Sequence, residues 1–423
     1  MVPTRRKAAA HRTLCVLAAC LGALSCSACG VFGSGTPTTT TQPLTPAERL
    51  IPSERAAVAK AEAAVGVRLP TVLGQPAPAL GADAFARPLR SHQVVGFLPY
   101  WEVGSFTPDY QDLTTVIYWS VPLGPDGFLL EDNPGWSAAT GDPLAYDIRE
   151  AHAAGDTVLL TVSSTNASVL HSVATHPFSA GGVLANRVAP MLTAYHFDGV
   201  NLDLEGDSTA ERDGFALFVA SFSKALRAID PAWSIMIDTY PTSAFDPLSF
   251  FDIKALEPYV NEFFVMGYDM DNPNVPSANA PLTNASISDV MALAEYAAVV
   301  PGQRIILGIP LYGVDFAATS RFDGALTVGT PVAVTYADIV AAGHKPLWDP
   351  VTETPWTVFR RAGKWHQTWF DDPMSIALKA ALAAEYHCAG VGVWDLGMSG
   401  SDASISAALL GGSAPVKLPL ASS

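Results

Sequence analysis

Short apolar runs alternate with longer amphipathic segments along most of the chain, from about residue 92 onward. Short runs rich in β-branched and aromatic residues predict buried strands, and longer segments with apolar residues every three or four positions predict helices. Helices are predicted at 211–229, 287–300 and 374–386, among others. Eight strands are predicted: VVGFLPY (94–100), TTVIYWSV (114–121), TVLLTVSS (157–164), FDGVNLDLE (197–205), WSIMIDTY (233–240), EFFVMGYD (262–269), RIILGIPLYG (304–313) and GVGVWDLG (390–397).

Eight strands that alternate with helices are typical of an α/β fold, and this number predicts a (β/α)8 TIM barrel. A doubly wound open sheet is the alternative, but no G-x-G-x-x-G motif follows the first strand, so we favour the barrel. The interval between the last two strands is longer than one helix requires, and it mixes a short helix with β-like runs. We therefore expect a small α+β insertion at about 316–368, on the loop side of the barrel.

The N-terminal region has the composition of an export signal. A basic start is followed by an apolar stretch that ends in SACG (27–30). This pattern predicts a lipoprotein-type signal peptide over residues 1–29, with Cys29 as the lipidated residue and Cys26 as the alternative. We expect the chain at the outer face of a bacterial cell membrane, attached through a lipid anchor only, or otherwise secreted.

Composition predicts the remaining boundaries. A Thr/Pro-rich tether covers 30–46, a helical segment with a Pro-rich joint covers 47–91, the barrel covers 92–411 and a flexible tail covers 412–423. Four of the five cysteines lie in the signal, which leaves Cys388 alone in the barrel and excludes an intramolecular disulfide there. Because Cys388 precedes an apolar run, we interpret it as core filling.

Charge and composition limit the classes of partner. The formal net charge is −16, whereas nucleic-acid binding requires basic patches, so a nucleic-acid partner is not expected. Neutral sugars place no such demand on net charge. No His/Cys/Asp cluster has the spacing of metal ligands and no phosphate loop is present, so we expect no metal and no cofactor.

The candidate chemistry lies in FDGVNLDLE (197–205). Asn201, Asp203 and Glu205 alternate with apolar residues, so they share one face of the predicted strand, about 6.6 Å apart along the chain. Catalytic groups of TIM barrels gather at the carboxyl ends of the strands. Two close carboxyls do not ionise independently, and a Glu that keeps its proton suits general-acid catalysis. The alternative is that these residues cap the next helix or bind a cation.

The run DGVNLDLE (198–205) resembles the D-G-x-D-x-D-x-E signature of glycoside hydrolase family 18, the chitinase-like hydrolases. The form with Asn, together with WFDDPMS (369–375), is similar to the bacterial cell-wall branch, which includes spore-cortex-lytic N-acetylglucosaminidases. The resemblance covers roughly residues 93–410, with its motifs in the expected order. The other matching segments are MGYD (266–269), GIPLYG (308–313), WFDDPMSIALK (369–379) and GVGVWDLG (390–397).

The resemblance implies a role for each matching residue. Glu205 would protonate the glycosidic oxygen. Asp203 would orient the 2-acetamido group of the substrate and stabilise positive charge while the acetamido oxygen attacks the anomeric carbon, which is substrate-assisted retention. Tyr268 would donate a hydrogen bond to the acetamido oxygen, and Asp269 would contact the same sugar or tune Glu205. Trp394 would stack beneath the sugar.

Further residues are expected at the substrate. They are Met266 in the M-x-Y-D motif, Tyr100 after the first strand, Tyr312 on the seventh strand, and Asn201. The family usually has Asp where this chain has Asn201, which cannot share a proton with Asp203 but can donate a hydrogen bond to it. We expect activity to persist with an altered pH profile.

The sequence therefore predicts an exported glycoside hydrolase that cleaves β-1,4 linkages next to N-acetylglucosamine, in chitin oligomers or peptidoglycan. The alternative is a catalytically silent, lectin-like sugar-binding protein on the same barrel. Silent members typically lose the acid, so the presence of Glu205 favours an enzyme. Chitin, peptidoglycan and glycan substrates stay open, as do endo or exo action and the oligomeric state.

Overall fold

The computed structural model describes residues 92–322, 324–400 and 402–411. The predicted signal peptide with Cys29 and Cys26, the tether, the segment 47–91 and the tail 412–423 all lie outside the described residues. The strands are β1 Gln93–Pro99, β2 Thr115–Pro122, β3 Thr157–Ser164, β4 Gly199–Leu204, β5 Ser234–Thr239, β6 Glu262–Met266, β7 Ile305–Pro310, β8 Tyr312–Ala318, β9 Val332–Thr335, β10 Leu347–Asp349, β11 Thr354–Arg361, β12 Lys364–Trp369 and β13 Gly390–Trp394. The helices are α1 Pro134–Ala139, α2 Asp142–Ala154, α3 Ala167–Thr175, α4 Pro177–Tyr195, α5 Arg212–Ile229, α6 Ile253–Leu256, α7 Asp289–Ala297, α8 Tyr336–Ala341, α9 Pro373–Glu385 and α10 Ala403–Leu409.

Eight parallel strands close into a barrel in the order β1-β13-β7-β6-β5-β4-β3-β2, which confirms the predicted TIM barrel. Alternate side chains point to opposite faces of each strand, and both faces are buried. One face packs against the surrounding helices. The other fills the barrel interior with Val95, Phe97, Ile117, Leu159, Met236, Phe264, Met266 and Ile306.

The seventh predicted strand, 304–313, is two strands in the structure. β7 ends at Pro310 in the barrel, whereas β8 begins at Tyr312 in a separate antiparallel sheet of order β10-β11-β12-β8-β9. The insertion thus begins at about residue 312, before the predicted 316, and its sheet ends at Trp369. The apolar run GIPLYG does not reveal where the backbone leaves the barrel, because both strands on either side of Leu311 are buried.

Three charged side chains form a fully buried cluster, which we call the buried triad: Asp289 on α7, Asp371 just before α9, and Lys379 on α9. The Nζ atom of Lys379 lies 2.8 Å from Asp371 Oδ2 and 3.2 Å from Asp289 Oδ2, and it donates to the Ala280 carbonyl at 2.7 Å. Asp372, the next residue, caps α9. The WFDDPMS motif therefore starts the closing helix and links it to α7.

Two further observations concern the rest of the described chain. Cys388 is buried, and burial raises the pKa of its thiol to about 12, in agreement with its interpretation as core filling. No helix within the described ranges is long and apolar enough to cross a membrane.

Candidate active site

The alternating polar residues of β4 lie at the carboxyl end of the barrel. Asn201 and Asp203 point into the interior and are 0% and 8% exposed, while the intervening leucines pack outward. Glu205 follows the last strand residue, and its backbone N–H donates to the Ser164 carbonyl of β3 at 2.9 Å. Its side chain is partly accessible at the barrel mouth. None of the three side chains caps the helices that follow β4. Glu205 reaches the barrel mouth beside Asp203, whereas Asn201 is fully enclosed in the barrel interior.

Asp203 accepts a hydrogen bond from a tryptophan on β2, which is separated from β4 by β3 in the barrel. The indole Nε1–H of Trp119 on β2 donates to Asp203 Oδ2 at 2.7 Å. Burial raises the pKa of Asp203 to about 6, and the hydrogen bond from Trp119 opposes this rise because it stabilises the anion. Asp203 therefore has a large ionised fraction at neutral pH although it is buried.

Glu205 retains its proton more strongly than Asp203. Burial, and then the negative charges of Asp203 and Asp269, raise the pKa of Glu205 to about 8. Asp203 on β4 and Glu205 directly after it thus titrate as a pair, with Asp203 ionised first. A protonated Glu beside an ionised Asp is the arrangement that acid catalysis next to a developing positive charge requires.

Tyr268 and Asp269 follow β6 in a tight turn. Asp269 has a φ of 57°, in the left-handed region that Asp adopts more readily than most residues. Its N–H donates to Asn279 Oδ1 at 3.1 Å, and its Oδ1 accepts from the Tyr312 hydroxyl at 2.5 Å. Although Asp269 is exposed as a residue, the protein around its carboxyl raises its pKa, and the Tyr312 hydrogen bond opposes that rise.

The Tyr268 hydroxyl remains neutral. Burial and the nearby carboxyls raise its pKa well above the usual value, with Asp238 the strongest of these charges. The ring of Tyr268 meets that of Tyr312 edge to face at 6.1 Å. Because Tyr312 is the first residue of β8, it reaches this site from the insertion and not from the barrel strand on which it was predicted.

Aromatic rings surround the acidic pair. Half-buried Trp394 contacts Trp119 and Phe97, with ring centroids at 5.1 and 5.3 Å, and Trp119 contacts Trp101 at 5.4 Å. Tyr100 packs against Trp101 at 4.9 Å. Met266 belongs to the interior cluster beneath these rings. The predicted site residues of the described range lie around this end of the barrel, but Asn201 donates its hydrogen bonds to Asp238 and Thr161 and not to Asp203, as had been predicted.

Two buried residues of this region were missed by the sequence interpretation. Asp238 on β5 is 2% exposed, and its Oδ2 accepts from Asn201 Nδ2 at 2.8 Å. Asn279, 1% exposed, bonds the backbone of Asp269. For Asp238 the available signal was a single carboxylate at an interior position of the apolar run SIMIDT. Asn279 lies in a loop, where no periodicity could indicate it.

The opposite end of the barrel has different chemistry. A cavity of about 720 Å³ lies there, lined by residues that include Thr114, Trp233 and Asp198. Asp198 accepts from the Val158 N–H at 2.7 Å and contacts His152 Nε2 at 2.9 Å, as expected of a residue that positions the strand. This cavity lacks the carboxylate pair. In the described part of the chain, no group of three or more His, Cys, Asp or Glu side chains could hold a metal ion.

The chain is similar to known proteins over most of the barrel. The family model described as glycosyl hydrolases family 18 matches residues 93–399. The "Putative sporulation-specific glycosylase YdhD" of Bacillus subtilis (strain 168) is 26% identical over 241 residues, which cover 56% of this chain and 56% of the relative. Mouse di-N-acetylchitobiase is 22% identical over 48% of this chain and 61% of its own length.

A further relative is the cortical fragment-lytic enzyme of Bacillus subtilis (strain 168), which is 24% identical over 51% of this chain and 50% of its own length. The chain thus spans between 50% and 61% of the length of these three relatives. Among solved structures, a chitinase from Cycas revoluta in complex with (GlcNAc)3 superposes with a TM-score of 0.67 at 20% identity, covering 75% of this chain and 98% of that one.

The match to the family model covers most of the barrel, from β1 to the turn after β13. It includes every motif on which the predicted resemblance rests, and the relatives include bacterial spore enzymes, as the predicted branch implies. The chain belongs to glycosyl hydrolase family 18.

Proposed function

We propose that this protein is a glycosidase that cleaves β-1,4 linkages next to N-acetylglucosamine by substrate-assisted, retaining catalysis. The observation that supports this proposal most directly is the carboxyl pair of β4. Asp203 and Glu205, with pKa values of about 6 and about 8, supply an anion and an acid side by side at the barrel mouth. A sugar-binding protein has no need of a protonated Glu there.

The mechanism assigns one task to each group. Glu205 donates its proton to the glycosidic oxygen as the bond to the leaving sugar breaks. The acetamido oxygen of the substrate attacks the anomeric carbon, and ionised Asp203 orients the acetamido N–H and stabilises the cation that forms. Water then opens this intermediate, with deprotonated Glu205 as the base, so the anomeric configuration is retained.

The neighbouring residues bind the reacting sugar. The neutral hydroxyl of Tyr268 donates to the acetamido oxygen, and Asp269 contacts the same sugar and raises the pKa of Glu205 through its charge. The Trp394 face stacks against the sugar ring, since a flat apolar surface suits the C–H side of a pyranose. Met266 forms the floor, and Tyr100 and Tyr312 line the rim.

The names of the relatives narrow the substrate. One is a di-N-acetylchitobiase and another is a cortical fragment-lytic enzyme. We therefore propose chitin oligomers or peptidoglycan fragments as substrates of this chain.

We also propose that the protein is exported through the segment 1–29 and lipidated at Cys29. Mass spectrometry of the N-terminal peptide from a bacterial membrane fraction tests this, and an unmodified Cys29 there would contradict it.

The decisive experiment compares products by mass spectrometry. Wild type and Glu205→Gln are incubated with N-acetylglucosamine oligomers and with purified peptidoglycan. Wild type should shorten at least one substrate, and the variant should lose about 10²–10⁴-fold in rate because it lacks the acid. Exposed Glu131 provides the matched control, and Glu131→Gln should act as wild type.

Two results would contradict the proposal. If wild type and Glu205→Gln both bind the sugars and leave every one intact, the protein is a sugar-binding member of the fold. If NMR of the first product shows the inverted anomer, the reaction is not substrate-assisted retention.

A further inference from the structure

Asn201 and Asp238 form a hydrogen-bonded side-chain pair inside the barrel, next to the reacting carboxyls. They come from adjacent strands, β4 and β5, and Asn201 lies beside Met236 in the strand register. The Asn201 amide donates to Asp238 Oδ2 at 2.8 Å and to Thr161 Oγ1 of β3 at 3.3 Å. Their exposures are 0% and 2%, so neither side chain exchanges hydrogen bonds with bulk water.

Acidic groups and no counter-charge surround Asp238. The ionisable groups that face it are Asp203 and Glu205 from β4 and Tyr268 from the end of β6. Among the described residues, no Lys, Arg or His forms an ion pair with Asp238, Asp203 or Glu205. The neighbouring strand β3 contributes the neutral Thr161. A buried carboxylate without a cation is strongly disfavoured.

The hydrogen bonding of Asp238 is asymmetric. Its Oδ2 accepts from the amide, while its Oδ1 is buried and has no hydrogen-bond partner. A carboxylate would leave negative charge on an unsatisfied oxygen, whereas a carboxylic acid can place its proton there. Burial, followed by the charge of Asp203, raises the pKa of Asp238 well above the usual value. This shift favours the protonated form, as the unpaired Oδ1 also does.

We propose that Asp238 is a positioning residue that works as an uncharged carboxylic acid, paired with Asn201, so that Asp203 can carry the negative charge of the site. This role rests on the proposed function. The acid of Asp238 and the amide of Asn201 together form a neutral unit beside Asp203. Asn201 is then the required partner of Asp238, because two carboxyls in this contact would share one proton and leave a negative charge beside Asp203.

Three nearly isosteric variants test the role through the acidic limb of the pH profile of kcat/KM. Asp238→Asn keeps a neutral donor and acceptor, so the limb should stay at its wild-type position. Asn201→Asp adds a buried negative charge and should move the limb up by about 1–2 pH units. The double variant Asn201→Asp/Asp238→Asn restores one acid and one amide in reversed order, and its limb should return to the wild-type pH.

A different pattern would overturn the proposal. If Asp238 were ionised in the wild type, Asp238→Asn would remove a charge beside Asp203 and move the limb to lower pH. A double variant whose limb stays with that of Asn201→Asp would equally contradict the neutral pair. Thermal unfolding of each variant shows whether a lost rate reflects lost folding.

Infrared spectroscopy tests the protonation without any turnover. Wild type at neutral pH should show the carbonyl-stretch band of a buried carboxylic acid, and the contribution of Asp238 should disappear in Asp238→Asn. If the spectrum of wild type minus that of Asp238→Asn shows no such band, Asp238 is not a neutral acid, even in an active enzyme. If wild type hydrolyses no sugar but the Asp238 band is present, the proposed function fails and the neutral pair stands.

Discussion

Replacing Trp119 with Phe should narrow the pH range of activity from its acidic side. The Trp119 indole donates the hydrogen bond that stabilises ionised Asp203, at 2.7 Å. Phe keeps an aromatic ring between Trp101 and Trp394 but has no N–H. The substitution therefore removes a donor to a buried anion while much of the ring packing is preserved.

The size of the expected pKa shift of Asp203 follows from the loss of this one hydrogen bond. A hydrogen bond to a charged group contributes about 1.5–3 kcal/mol, and 1.36 kcal/mol corresponds to one pKa unit, so the pKa of Asp203 should rise by about 1–2 units. In the wild type it is about 6, and that of Glu205 is about 8. The sign follows from the donor, which favours the anion: without it, Asp203 binds its proton more tightly. The rising limb thus approaches the falling limb, and the maximum rate decreases.

The measurement is kcat/KM against pH on an N-acetylglucosamine oligomer that the wild type cleaves. Trp233→Phe is the matched control, because Trp233 lines the cavity at the opposite end of the barrel. Its profile should coincide with that of the wild type. If the acidic limb of Trp119→Phe also coincides with the wild type in a folded protein, the hydrogen bond does not control the ionisation of Asp203 and the reasoning is wrong.

Two other substitutions have defined outcomes. Lys379→Met should lower the free energy of unfolding by about 3–5 kcal/mol, more at alkaline than at acidic pH, because the carboxyls of the buried triad lose their shared cation. Thermal unfolding checks this against Lys254→Met on the surface, and equal melting temperatures for the two variants would refute it. Tyr312→Phe should move the falling limb of the pH profile slightly to lower pH, since Asp269 then binds its proton more readily and repels the Glu205 carboxylate less. A falling limb that moves to higher pH would contradict that coupling.

The alternation of eight strands with helices and the identity of the acidic strand were predictable because both depend on local periodicity. A period of two places Asn201, Asp203 and Glu205 on one face whatever the strand packs against. The partners of those residues were not predictable in the same way. Trp119 reaches Asp203 across the intervening strand β3, and Asp238 reaches Asn201 from the next strand.

The point at which the chain leaves the barrel was also beyond a pattern of apolar residues. The runs on both sides of Leu311 are almost entirely buried, although one belongs to a parallel barrel and the other to an antiparallel sheet. Tyr312 was therefore assigned to the right region for the wrong strand. Strand pairing is decided by contacts distant in sequence, here with β12 and β9.

That position of Tyr312 has a practical consequence for exchanging loops between barrels of this kind. A graft that treats the whole of 312–369 as a removable module would also delete the hydroxyl that holds Asp269. The recipient would keep its equivalents of Asp203 and Glu205 and still lose the hydroxyl that fixes the equivalent of Asp269. The cut should instead fall after Ala318, where β8 ends, so that the donor supplies the rest of the insertion and the recipient keeps its own tyrosine.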